Sequence, residues 1–513
     1  MIAHCMIAAI MRICVAILTN LSRSEVPDSN KANHLSDANV VASRWRRAPA
    51  FPTDDPSWSL ALTKTRKLLG AHSIDRVFAP IEFLDLLGPA ASSAVESYLA
   101  PPGERDLLLL HKGQTDQWSL QALEGLGQFR CVWANPVFAI YAHRRRWILP
   151  ELRTRRHMPD REMLRPAAIE APEQPRVLLI SAGGMGNVGD DAVTQCAAKI
   201  IRSVRRDVAI ECRSSPLTRS EVARASCIVL GGGGVLYDSC PYNLQNYTIP
   251  LLMAAELGRP AICLGIGTQG IRTDLGRRLL GHSLSHCLWV SVGDPGDAKV
   301  VRTIAPAAKL SIDRDLAFRA GRRHRSRGFD HPRPIRIGVS WVDSRRLLAT
   351  IRMREYQGVI EDTVALVPAG ASVELVVQSR DDLPMYREWH AQHGCRIRDF
   401  GGQPIEQVLD YYAELDLVLT SRYHGFIFAL ITGRPVICAG NRQGKIDRLI
   451  RSAVPSAAPC FIPLRQFDRR ALQRSLELFT RDPSTLTPCA SEVNACIARA
   501  QTLDERFAKY SLL

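Results

Sequence analysis

The sequence predicts an α/β protein with two Rossmann-like lobes, each a doubly wound parallel sheet, and an additional small N-terminal α/β domain. Three observations lead there. Short apolar runs of strand length alternate with helical patterns over about residues 175–460, as in parallel sheets buried on both faces. Three strand-like runs in the first half meet glycine clusters, in "GGMGNVG", "GGGG" and "GIGTQG". A basic, proline-containing segment near residues 320–334, "AGRRHRSRGFDHPRP", splits the series and reads as a hinge.

Taken in order, "MIAHCMIAAIMRICVAILTN" is apolar, lacks a basic n-region and is interrupted by His4 and Arg12. It fits neither a signal peptide nor a membrane span, and is expected to be a packed helix, a weak membrane contact or a start-site artefact. With the polar stretch that follows it makes up residues 1–56. Residues 57–148, with "RDLLLLHKG" and "RCVWANPVFAIYAH", read as a small α/β domain without a catalytic constellation. Residues 149–174 are rich in Arg, Pro and Glu and read as a linker. The first lobe is expected over 175–325, through "RVLLISA", "DVAIECRS", "ASCIVLGGGGVL", "PAICLGIGTQG" and "CLWVSVGD". The second is expected over 326–513, through "IRIGVSW", "ASVELVVQS", "CRIRDF", "DLVLTS" and "RPVICAG", with helices at its C-terminal end. From Pro175 onward both lobes read as complete, each with its own core. Two such lobes with a cleft between strand C-terminal ends have the GT-B layout.

A formal net charge of +15 over 513 residues favours anionic partners: phosphorylated metabolites, nucleic acid or an acidic membrane face. The densest arginine groups, at 144–146, 153–156 and 322–327, fall in loops or linkers. No zinc-finger spacing, RNA-binding signature or basic heptad region occurs, which argues against nucleic acid. Fourteen cysteines include no CxxC pair and often sit in apolar runs, fitting free thiols in a reducing cytoplasm. No metal-ligand cluster is evident, and no cofactor is expected.

"GMGNVG" at Gly184–Gly189 matches a dinucleotide fingerprint, and Glu211 ends the next strand. Asp190 and Asp191 oppose that reading, because two carboxylates in the first helical turn repel a pyrophosphate. The glycines then make a tight turn and the aspartates cap the helix. Gly231–Gly234 and Gly265–Gly270 repeat the theme, and the three loops are expected to line one crevice.

The most informative stretch is "TSRYHGFIFALITGRPVICAG", Thr420–Gly440. Ser421, Arg422 and His424 fall between a strand and a helix, where free N–H groups and the helix dipole favour anions. Ser421 is the expected N-cap. Arg422 offers a fork for phosphate or carboxylate, and His424 a proton carrier.

With "GNVGDDA" (Gly186–Ala192), "GGGGVL" (Gly231–Leu236), "GIGTQG", "SVGD" (Ser291–Asp294) and "SRYHGFIFALITGRPVI" followed by Lys445, the chain resembles the polysaccharide pyruvyl transferase family over about residues 175–460. The resemblance implies transfer of the enolpyruvyl group of phosphoenolpyruvate onto two hydroxyls of a surface-polysaccharide or lipid-linked sugar, giving a cyclic ketal. It implies a cytoplasmic enzyme, with peripheral contact at the inner membrane face one option. Arg422 would hold the donor and His424 act as acid and base, with Ser421, Gly425 and Lys445 as further donor contacts. Asn187, Asp190, Asp191, Gly232, Gly233 and Gln269 would face the acceptor or order the loops. Gly293 departs from the family, which often has arginine there, and Arg302 or Arg314 are candidate substitutes. The alternatives are a GT-B glycosyltransferase using a nucleotide sugar, and a non-catalytic glycan- or nucleotide-binding protein.

Overall fold

The computed structural model describes residues 51–145, 174–214, 217–321, 334–343 and 351–510, all within one compact unit, residues 48–513. The apolar N-terminal stretch, most of the expected linker at 149–174 and the basic hinge at 322–333 lie outside the described residues.

The N-terminal domain opens with helix α1 (Pro56–Ala71), capped by Asp55, whose carboxylate accepts from the Ser57 N–H at 2.7 Å. Its strands are β1 (Arg76–Ala79), β2 (Ala91–Ser93), β3 (Asp106–His111), β4 (Phe129–Ala134) and β5 (Phe138–His143). They form a mixed sheet in the order β2-β1-β3-β5-β4.

The first lobe is a six-stranded parallel sheet of β6 (Arg176–Ile180), β7 (Ala209–Arg213), β8 (Cys227–Leu236), β9 (Ala261–Thr268), β10 (Trp289–Val292) and β11 (Leu310–Ile312), in the order β11-β10-β9-β8-β6-β7. The second has β12 (Arg336–Ser340), β13 (Ser372–Val377), β14 (Arg396–Asp399), β15 (Leu417–Thr420), β16 (Val436–Gly440) and β17 (Phe461–Pro463), in the order β14-β13-β12-β15-β16-β17. The strand order reverses beside β6 and β8 in one lobe and beside β12 and β15 in the other, the crevices where doubly wound sheets take ligands. Both Rossmann-like lobes are therefore present. The helices that matter for the site are α2 (Val188–Val204), α3 (Pro241–Glu256), α4 (Tyr423–Thr432), α5 (Lys445–Ala453) and α6 (Leu503–Tyr510).

Three expectations are corrected. The four glycines do not end their strand: β8 runs through them to Leu236 and pairs with β9 as far as Thr268. A Cβ on Gly231 would lie 2.6 Å from Leu179, and one on Gly232, at φ +61°, 2.8 Å from Val193. Glycine here lets α2 lie close against the strand. Second, the first lobe does not close its core alone. Val95 of the N-terminal domain is buried in it, with Tyr98 and Leu99 packed alongside. Third, the last helix, α6, leaves the second lobe and packs on the first. Tyr510 stacks on Trp289 at 5.5 Å, and Asp504 pairs with Arg319 at 2.6 Å. A single apolar core runs through α2 and α4 and so spans both lobes.

Candidate functional site

Strand β15 ends at Thr420, and α4 begins three residues later, at Tyr423. Its N-cap is Arg422, not Ser421. The Ser421 hydroxyl instead accepts from the Val342 N–H at 2.9 Å and meets the Tyr356 hydroxyl at 2.7 Å, joining β15 to the end of β12. Gly425 is buried against β12 and β15, where a Cβ would lie 2.6 Å from Thr420 Oγ1 and 2.8 Å from Ser340 Oγ. Both are packing residues, and neither lines the cleft.

The Arg422 fork is already partly engaged. Its Nε and Nη2 donate to the two carboxylate oxygens of Asp382, at 2.9 and 2.5 Å. Asp382 also accepts from the Asp343 N–H at 3.0 Å. Burial pushes the Asp382 carboxyl above its ordinary range, with Arg422 opposing that rise. The guanidinium is thus held rigidly, and Nη1 is the nitrogen without a protein partner among the described residues.

His424 belongs to the second lobe, yet its imidazole is framed by the first. A Cβ on Gly189 would fall 1.8 Å from His424 Nδ1, so the ring fits only against a glycine. On the other edge Nε2 lies 3.6 Å from Asp315 Oδ2, beyond hydrogen-bond length. Burial raises the Asp315 carboxyl, but His424, the Ala317 N–H and Lys445 outweigh it and hold the group below its ordinary range. Asp315 thus forms an inter-lobe pair with His424.

A cleft of about 270 Å³ opens between the lobes. Arg422, His424, Tyr423 and Lys445 line it from the second lobe, with Gln378. Asn187, Asp190, Tyr237, Asn243, Tyr247 and Gln269 line it from the first. Lys445 is the first residue of α5, and its ammonium lies 5.5 Å from the centre of the Tyr423 ring. A Cβ on Gly234 would fall 2.2 Å from Lys445 Nζ, so that glycine admits the lysine. Gln269 donates to the Gly234 carbonyl.

The two carboxylates after the glycine loop do different work. Asn187, not either aspartate, caps α2, accepting from the Gly189 N–H at 2.9 Å. Asp191 is buried and orders the loop, accepting from Gly184 N–H at 2.6 Å and, across the lobes, from Gly402 N–H at 3.1 Å. Val188 N–H donates to Gln378 O and Arg380 N–H to Gly186 O, which clamps the loop to the second lobe. Asp190 faces the cleft. Burial raises its carboxyl above the ordinary range, with His424 and Lys445 opposing. Gly232 and Gly233 lie within β8 and outside the cleft lining. The dinucleotide reading loses its acidic partner, because Glu211 pairs with Arg176 and Arg213.

Neither Arg302 nor Arg314 lines the cleft; Arg302 is exposed and Arg314 bonds the Asp313 carbonyl at 3.2 Å. The cation beside Gly293 is Arg448, which pairs with Asp294 at 2.9 Å from the second lobe. A Cβ on Gly293 would meet nothing closer than 3.8 Å, so no crowding demands glycine there. The sequence reading missed Asp315, Asp382, Tyr237, Asn243 and Tyr247. "DRDLAF" and "RDDLP" held the two acids, without a spacing that tied either to His424 or Arg422. Among the described residues no group of His, Cys, Asp and Glu is placed to hold a metal ion, and no helix is long and apolar enough to cross a membrane.

The family profile for polysaccharide pyruvyl transferase matches residues 187–443, half of the chain. The chain belongs to the polysaccharide pyruvyl transferase family. The family is one of transferases, and the match takes in the Asn187–Asp191 segment, both glycine strands and the start of α4, ending just before Lys445. No curated protein matches the chain. Similar solved structures include Anabaena HepE with UDP and glucose, 13% identical, covering 66% of this chain and 99% of that one with a TM-score of 0.41. Methanocaldococcus jannaschii UDP-GlcNAc 2-epimerase, with UDP-GlcNAc and UDP, is 11% identical over 64% and 99%, with a TM-score of 0.37. S. aureus MnaA with UDP is 10% identical over 65% and 94%, with a TM-score of 0.42.

Proposed function

We propose that this pyruvyl transferase takes phosphoenolpyruvate as donor and forms a pyruvate ketal on a glycan precursor. The observation that carries the reading is the convergence of Arg422, His424 and Lys445 on one side of the cleft, at the starts of α4 and α5. A small anion with both a carboxylate and a phosphate needs that concentration of positive charge and free helix N–H groups.

The chemistry balances as follows. A proton is delivered to the donor methylene, which becomes a methyl group and leaves C2 electrophilic. One sugar hydroxyl adds through oxygen to C2 and gives up its proton. The C2–O bond to phosphate then breaks, inorganic phosphate departs, and a second hydroxyl adds to C2 with loss of its proton. His424 carries a proton in this sequence while Asp315 steadies its charged form, and Arg422 and Lys445 neutralise the donor. No metal is required by these steps.

The test is incubation of the protein with phosphoenolpyruvate and lipid-linked glycan fractions, following phosphate release and pyruvate incorporation. The expected result is stoichiometric release. Consumption of a nucleotide sugar instead, with phosphoenolpyruvate untouched, replaces this reading with glycosyl transfer.

A further inference from the structure

Charge divides the cleft unevenly. The cations come from the second lobe, whereas the first contributes one carboxylate, Asp190, and neutral side chains including Tyr237 and Tyr247. We propose that Asp190, Tyr237 and Tyr247 form the acceptor subsite, built for an uncharged, hydroxyl-rich pyranose. The proposal rests on the donor reading above only in assigning the opposite wall to the anion.

Asp190 differs from the carboxylates around it. Asp191, Asp294, Asp315 and Asp382 each accept from backbone N–H groups or an arginine. The Asp190 carboxylate has no hydrogen-bond donor among the described residues, and it lines the cleft. A sugar hydroxyl supplies such a donor, and a carboxyl held above its ordinary range by burial is suited to receive the proton. Burial, with Tyr237 and Asp190 nearby, pushes Tyr247 up to about 12, so it stays neutral. Aromatic rings give an apolar bed for the C–H face of a pyranose and polar tips for its hydroxyls.

The wall is also preorganised by the N-terminal domain. Tyr242, in the first turn of α3, donates to Glu82 at 2.7 Å. At the other end of α3, Glu256 accepts from Arg219 at 2.5 Å and from the Leu120 N–H at 2.8 Å. Asn243 donates to the Val235 carbonyl at 2.6 Å, fixing the connection that carries Tyr237. Rigid support on both ends is what a binding wall needs.

The test uses the full chain with methyl glucoside, galactoside and mannoside as probes, read by saturation-transfer NMR, and phosphoenolpyruvate, read by calorimetry. Tyr237→Leu should weaken pyranoside binding about tenfold and leave phosphoenolpyruvate affinity unchanged, while Tyr237→Phe keeps both. Tyr247→Leu provides a second probe of the same wall, with pyranoside binding weakened and phosphoenolpyruvate affinity intact; pyranoside binding unchanged in both leucine variants overturns the assignment. Loss of phosphoenolpyruvate affinity in Tyr237→Leu with pyranosides still bound overturns the assignment, as does failure of the unmodified protein to bind any of the three. If phosphoenolpyruvate fails to bind the unmodified protein but Tyr237→Leu loses the pyranosides, the donor reading falls and the subsite stands.

Discussion

Gly189→Ala isolates the contact between the lobes that frames His424. Gly189 has no positive φ, and in a helix alanine is favoured over glycine by up to about 1 kcal/mol, so backbone effects favour the substitution. The added Cβ would nevertheless fall 1.8 Å from Nδ1, 2.3 Å from Cγ and 2.8 Å from Cβ of His424. Ordinary contact begins near 3.4 Å, so ring or helix must shift by about 1.6 Å. The ring has little room: Tyr423 is 5.3 Å away and Phe428 6.2 Å, centroid to centroid, and Asp315 closes the Nε2 edge. Overpacking of this kind costs about 1–3 kcal/mol. If His424 is the proton carrier proposed above, a displacement of that size lowers kcat by about a hundredfold or more. Urea unfolding of the unmodified protein, Gly189→Ala, His424→Ala and the double variant gives the coupling directly. We expect the double variant to recover about 1–3 kcal/mol relative to additivity, because His424→Ala removes the ring atoms at 1.8 and 2.3 Å and leaves only the Cβ contact at 2.8 Å. Additive effects within about 0.5 kcal/mol, or an unchanged kcat in Gly189→Ala, refute the reasoning.

Asp382→Ala leaves the Arg422 guanidinium without its buried partner and should lower stability by about 3 kcal/mol, with Asp382→Asn losing less; equal stability in denaturant titrations of all three counts against the pair as the anchor. His424→Gln should reduce kcat by about a hundredfold with donor affinity changed only a few-fold, whereas a raised donor KM at full kcat marks the residue as a binding group. The Asp315 carboxyl is held below its ordinary value in the folded protein, so its contribution is fully present above about pH 4 and lost as pH falls through the lowered value. Asp315→Asn should therefore flatten the acid limb of stability against pH, and an unaltered limb assigns the acid sensitivity elsewhere. A chain beginning at residue 174 exposes the surface that Val95 covers and strips Arg219 and Glu256 of partners, so its first lobe should melt at lower temperature than in the full chain; an identical melting curve shows the N-terminal domain to be dispensable for stability.

The architecture was legible because it is written locally. Each apolar run bounded by turn residues, such as "RVLLI" or "LVLT", carries its own burial pattern, and alternation with helical segments implies parallel pairing. The short edge strands β11 and β17, three residues each, were not legible, because so short a run has no period. The glycines of β8 were misread because glycine signals a turn locally, whereas here a helix approaches closely, which only packing reveals. The same division holds at the site. Arg422, His424, Lys445 and Asp190 could be singled out from motif and position, since a helix start after a strand is a local feature. Their partners were set by the meeting of two lobes. Asp382 reaches Arg422 from the turn that follows β13, Asp315 and Gly189 reach His424 from the first lobe, and Tyr237, on the connection into α3, and Tyr247, on α3 itself, line the cleft from a wall held by the N-terminal domain. No spacing along the chain encodes such contacts, because they depend on how separate sheets pack, and that is decided by burial of the shared core through α2 and α4.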